Sequence, residues 1–107
     1  MHMEKKNKIE NAKIESVGLY YEGHFDNLYV RCVLDGRGWG AQINLPMSKV
    51  KEFVRMFNDT INIEDGIFVY ELENAPITVM LNDLNDAHEI VAIGDIFATE
   101  DEMIFLH

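Results

Sequence analysis

Apolar residues alternate with polar ones along most of this chain, and in one stretch they recur at the helical period instead. Ile14, Val17, Leu19 and Tyr21 predict a first strand. The step from Ile14 to Val17 breaks the alternation, and Gly18 marks a bulge there. Glu22-Gly23-His24 reads as a turn. Leu28, Val30, Cys32 and Leu34 then alternate with Tyr29, Arg31 and Val33, a second strand. Asp35-Gly36-Arg37-Gly38 is a hairpin turn, with glycine free to take positive φ. Trp39, Ala41, Ile43 and Leu45 alternate with Gly40, Gln42 and Asn44, a third strand antiparallel to the second.

The pattern then changes. Val50, Phe53, Val54 and Phe57 form one apolar stripe at helical spacing and predict a helix over 48–58. Ser48 can cap it, or Asn44 can with Pro46 in the first turn. Residues 61–74 stay open between a helical turn (Phe68, Val69, Leu72) and a short strand (Ile67 to Tyr70). Pro76 permits only a strand start or an edge. Ile77, Val79 and Leu81 give a fourth strand, Asn82 to Glu89 a polar loop, and Ile90 to Phe97 a fifth strand, apolar on both faces and hence covered. The acidic then apolar tail, Glu100 to Leu106, docks on its own core or on a second subunit. The expected fold is α+β, a single domain over 1–107. A five-stranded, mainly antiparallel sheet carries the 48–58 helix on one face. Val50, Phe53, Val54 and Phe57 should meet Val30, Trp39, Ile43, Val79 and Ile93. Residues 1–8 read as a disordered start, with Met1-His2-Met3 a cloning scar.

Composition adds compartment and charge. The chain is 107 residues long and 48% apolar, enough for a core without staples. No apolar run approaches a membrane span, and no secretory signal follows Lys5, Lys6 and Lys8. Cys32 is the single cysteine and sits among Val30, Val33 and Leu34. It reads as a small buried hydrophobe in a reducing cytoplasm. The net charge of −10 is unevenly spread. Residues 1–55 hold all nine basic side chains against seven acidic, a net of +2; residues 56–107 hold twelve acidic and none basic. Such a surface repels phosphate backbones and attracts basic partners. Acidic surfaces also simply keep proteins soluble, which is the plainer explanation.

No motif carries chemistry on its own. The loop 82–89 clusters oxygen ligands but lacks EF-hand spacing. His24, Asp26, His88 and Glu89 could meet as a metal site or acid–base pair only through the fold, since no HExxH or CxxC spacing is present. Ser16 and Ser48 sit in no GxSxG elbow. Asp95, if buried in its apolar strand, needs Arg31 or Arg37 as a partner. The glycine-rich run Asp35 to Gly40 fits neither a Walker A loop nor GxGxxG before a helix. It is a turn first and a contact site second. No metal and no cofactor is expected, and no catalytic residue can be named.

Five stretches resemble a family of small phage and prophage proteins. They are Ile9-Glu10-Asn11-Ala12-Lys13-Ile14, Tyr21-Glu22-Gly23-His24, Leu34-Asp35-Gly36-Arg37-Gly38-Trp39-Gly40, Tyr70-Glu71-Leu72 and Val91-Ala92-Ile93-Gly94-Asp95-Ile96. The family's denser run of Gly, Gln and Phe is reduced here to Gly38-Trp39-Gly40-Ala41-Gln42. The resemblance implies a mobile-element origin and no activity.

The leading expectation is therefore a non-enzymatic binding protein. An acidic face of Glu64, Asp65, Glu71, Glu73, Asp83, Asp86 and Glu89 would mimic a nucleic-acid backbone toward a basic host protein, such as a CRISPR or restriction enzyme. Direct nucleic-acid or membrane binding is not expected. The alternatives are a sponge for a nucleotide-like signal, with Tyr21, Arg31, Arg37 and Trp39 as contacts between protomers of a homodimer, or a protein that self-assembles through Met103–Leu106.

Overall fold

The computed structural model describes residues 7–84 and 87–106, and the backbone alone at 83, 84, 87 and 88. In chain order the elements are β1 (Asn7–Glu22), β2 (Asn27–Gly36), β3 (Trp39–Pro46), α1 (Met47–Arg55), a 3-10 turn (Val69–Leu72), β4 (Pro76–Leu84), β5 (Ala87–Gly94), a 3-10 turn (Glu100–Glu102) and β6 (Ile104–Phe105). The fold is α+β. Every neighbouring pair in the sheet is antiparallel, in the order β3-β2-β1-β4-β5-β6. The sheet has six strands, not the five expected, and curls into a half-barrel.

β1 organises the sheet because it is long enough to serve two partners. Its first part pairs with β4 (Asn7↔Asn82 to Lys13↔Pro76), and the rest pairs with β2 (Ala12↔Gly36 to Glu22↔Asn27). The register shifts between Ile14 and Ser16, so the bulge falls at Glu15 and not at Gly18. An extra residue there turns both Ile14 and Val17 into the core, which accounts for their irregular spacing. Asn7 and Lys8, expected in a frayed start, already pair in β1; residues 1–6 lie outside the described set.

The helix is shorter than its apolar stripe. After Arg55 the amides of Phe57 and Asn58 bond the carbonyls of Val54 and Arg55, three residues back, so the chain tightens into successive turns. Phe57 nonetheless stays fully buried, edge-on to Phe53 at 5.4 Å. Neither Ser48 nor Asn44 caps the helix. β3 runs straight into α1, Pro46 occupies the cap position with φ −62°, and no side chain caps it.

Three more boundaries move. Residues 61–74 hold one 3-10 turn that plugs Leu72 into the core, and no strand. The loop expected at 82–89 is mostly strand, because β4 and β5 continue their ladder to Leu84↔Ala87. β5 stops at Gly94, where Asp95 Oδ1 accepts the Phe97 amide at 3.0 Å and the chain turns. The tail docks on its own sheet: Ile104 and Phe105 pair with Ile93 and Ala92, making the sixth strand.

The core fills the inside of the curl. Phe53, Phe57, Val30, Ile43, Val79 and Ile93 are buried there, with Trp39, Val50 and Val54 packed against them, as the stripe predicted. A second, smaller cluster of Met80, Ala92 and Met103 lies on the other side of the sheet. No helix among the described residues is long and apolar enough to cross a membrane.

Candidate functional site

Strand parity and register decide which candidate residues can meet. Tyr21 pairs with Leu28 beside the β1–β2 turn, and its hydroxyl donates to Asp26 Oδ1 at 2.6 Å. That bond pushes the Tyr21 phenol above its ordinary pKa. Arg37 lies in the β2–β3 turn, at the other end of β2, roughly 30 Å away at ~3.3 Å per residue. Arg31 and Trp39 point to opposite faces. Trp39 faces the core and donates from Nε1 to Glu10 Oε2 at 3.0 Å. Arg31 lies on the outer face, with its guanidinium 3.8 Å from the centre of the Tyr20 ring. Its Nη2 donates to the Tyr29 hydroxyl at 3.0 Å and its Nε to Asn44 Oδ1 at 3.5 Å. The fold therefore does not bring Tyr21, Arg31, Arg37 and Trp39 together. What it builds instead is a Tyr20–Arg31–Tyr29 cluster, the two rings 5.3 Å apart. The alternation Tyr29-x-Arg31 signals one half of that cluster; Tyr20 joins it only through the β1–β2 register.

The other candidates disperse as well. His24 and Asp26 sit in the β1–β2 turn, while Glu89 pairs with Asn82, which in turn pairs with Asn7 at the far end of β1. Sixteen residues of strand, roughly 50 Å, separate them. His88's side chain lies outside the described set. Among the described residues no three His, Cys, Asp or Glu gather as a metal site would need. Asp95 meets neither Arg31 nor Arg37; it is half-buried and serves its own turn. Cys32 is fully buried, and loss of water pushes its thiol up to about 12.

The expected acidic face falls into two groups at opposite ends of β4. Glu64, Asp65, Glu71 and Glu73 precede Pro76, and all four are exposed. Asp83 and Glu89 lie at the β4–β5 hairpin, roughly 25 Å away along the strand. Asp86 lies outside the described residues.

The first group holds a feature that charge alone did not reveal. Phe68 and Tyr70 are 69% and 60% exposed and stack on each other, centroids 5.5 Å apart and planes within 11°. Val69 and Leu72 turn inward and hold the 3-10 turn against the core, which pushes the two rings out. Glu71 is pinned beside them, its Oε2 accepting the Phe68 amide at 2.6 Å. Between Asp59 and Glu73 there are five carboxylates and no cation. The run Ile67-Phe68-Val69-Tyr70 is apolar throughout and gives no sign of which side chains face water; the i, i+3 spacing of Val69 and Leu72 in the 3-10 turn decides it. A second exposed apolar region forms the β1–β2 tip, with Leu19, Tyr21, Phe25 and Leu28.

No protein-family model, curated protein or solved structure matches this chain.

Proposed function

We propose that this chain is a non-enzymatic binding protein that captures a basic protein surface with the segment Asp59–Glu73. The observation that carries this reading is the stacked, exposed Phe68–Tyr70 pair set among five carboxylates. Flat rings accept arginine and lysine over their faces, and neighbouring carboxylates accept their hydrogen bonds. A net charge of −10 speeds encounter with a basic partner. Rings and spaced negative charges are also what a nucleic-acid-binding surface ordinarily receives. The partner class is accordingly a nucleic-acid-handling protein. For a phage-encoded protein of the kind this chain resembles, that is a host defence enzyme met in the cytoplasm. The free, buried thiol of Cys32 suits that reducing compartment.

Calorimetric titration with an arginine-rich peptide tests the reading. Phe68→Ala with Tyr70→Ala leaves the net charge untouched, and we expect it to weaken binding by about tenfold. Unchanged affinity would reduce the interaction to bulk charge and remove the proposed site.

A further inference from the structure

We propose that the free edge of β1, Ser16–Glu22, pairs antiparallel with the same edge of a second copy of this chain, centred on Leu19. The 3-10 turn of the segment Asp59–Glu73 abuts β1 at the Ile14 end of this edge, but the proposal does not rest on the reading of that segment.

β1 has partners on both sides only over its first part. The β4 side of the ladder ends at Lys13↔Pro76, and Ile14 closes it by bonding Ala75 O and the Asn74 amide. Beyond that point β1 pairs with β2 alone. Residues on one face of a strand also aim their backbone groups to the same side. Ile14 aims its amide and carbonyl away from β2. The bulge at Glu15 restores Val17 to the face of Ile14, so Val17, Leu19 and Tyr21 aim theirs outward as well. Among the described residues none of the three has a loop or turn partner for these groups.

Such an edge is ordinarily blunted by lysine, proline, an inward charge or a bulge, and the bulge at Glu15 lies just before this one. Ser16-Val17-Gly18-Leu19-Tyr20-Tyr21-Glu22 has none of the first two, and its one charge is at the end. The side chains that follow Val17 on its own face are apolar and open to solvent: Leu19 is 65% exposed and Tyr21 58%.

The open site at Gly18 points to a second copy as the occupant, because two-fold pairing brings that copy's Tyr20 ring to it, and symmetry then sets the register. The free edge is bounded by the Ile14–Asn74 contact at one end and the turn at the other, and its midpoint is Leu19. The outward-aimed groups of Val17, Leu19 and Tyr21 are symmetric about that residue. Full overlap of two copies sets Leu19 against Leu19 and Val17 against Tyr21 of the second copy, all hydrogen-bonded pairs. On the other face Gly18 meets Tyr20 of the second copy. A Cβ at Gly18 would find nothing within 4 Å, so the site has room for an incoming ring. That ring would lie beside Arg31, the cross-strand neighbour of Gly18, which already stacks on the chain's own Tyr20. Glu22 falls opposite Ser16, so no like charges meet. Because each copy carries −10, association should strengthen as salt rises.

Opposed residues in a hydrogen-bonded antiparallel pair have Cα atoms ~5.5 Å apart, within disulfide range. Under mild oxidation Leu19→Cys should therefore give a covalent dimer in high yield, whereas Tyr21→Cys, far from its own copy in this register, should stay uncrosslinked. Cys32 is fully buried and will not interfere. Sedimentation of the unmodified chain should give twice 12.4 kDa, and Leu19→Lys should return it to 12.4 kDa with an unchanged melting temperature. A monomer at all salt concentrations overturns the proposal. So does a dimer that crosslinks at position 21 and not at 19, or one that survives Leu19→Lys, since either places the contact elsewhere.

Discussion

The indole of Trp39 occupies the space that a side chain on Gly36, its cross-strand partner, would fill: a Cβ there would stand 1.9 Å from Trp39 Cε2. The ring is held in that place by its bond to Glu10, so three strands meet at one contact. Gly36→Ala should displace the indole and cost about 1–3 kcal/mol, the usual range for overpacking. Trp39→Phe keeps an aromatic ring near Gly36 but gives up the Glu10 bond, about 1 kcal/mol, together with part of the indole's packing on the core. Denaturant melts followed by circular dichroism rank the two. The fluorescence of this one tryptophan should also shift red in Gly36→Ala. Equal stability of Gly36→Ala and the parent would show that the ring is not confined.

Cys32 makes a pH-dependent contribution. Its thiol is raised from 9.0 to about 12 by burial, so the folded state favours the neutral form. That stability is fully present below pH 9 and is lost as pH rises toward 12, because only the unfolded chain ionises in between. The slope is about 1.4 kcal/mol per pH unit within that window. Comparing melts of the parent and Cys32→Val from pH 8 to 11 isolates it from lysine and tyrosine titration. Parallel curves would mean that the thiol ionises freely in the fold.

The alternation of Leu28 to Leu34 and Trp39 to Leu45 made β2 and β3 legible, because each has one face on the core and one outside. The helix stripe and its core contacts were legible for the same reason. β6 was not, since two residues have no period and its pairing is made by backbone against Ala92 and Ile93. The β4–β5 hairpin read as a loop because its polar side chains, Asn82 and Glu89 among them, say nothing about ladder bonds. The candidate surfaces depended on register more still. The excess of carboxylates after Arg55 was plain, but only β4 shows that it divides into two groups. Nothing in the charge pattern pointed to Phe68 and Tyr70, whose exposure follows from Val69 and Leu72 turning inward.

Lys49 reaches from α1 across to the outer edge of β6, its Nζ donating to the Phe105 carbonyl at 2.6 Å. A lysine on an open edge both satisfies a carbonyl and blocks further strand addition. Lys49→Met keeps the aliphatic stem and removes the donor. Hydrogen exchange at the Leu106 amide, which bonds Val91 O, should quicken several-fold. Global stability should fall by only about 0.5 kcal/mol, because the bond is exposed. Unchanged protection at Leu106 would show that β6 is held by Ile104 and Leu106 packing alone.

Thr60 closes the turns after α1, its amide bonding Phe57 O at 2.9 Å, yet its Oγ1 is buried with no partner among the described residues. A hydroxyl removed from water without a hydrogen bond is a cost that the backbone bond does not offset. Thr60→Val keeps the branched shape and the amide while deleting the oxygen. Stability should rise by about 0.5–1 kcal/mol, seen as roughly 2–6 °C in melting temperature. Thr60→Ser does the reverse, keeping the hydroxyl and losing the methyl, and should melt lower than the parent. If the valine variant melted below the parent, the hydroxyl would have a partner, such as a bound water, and its burial would be stabilising.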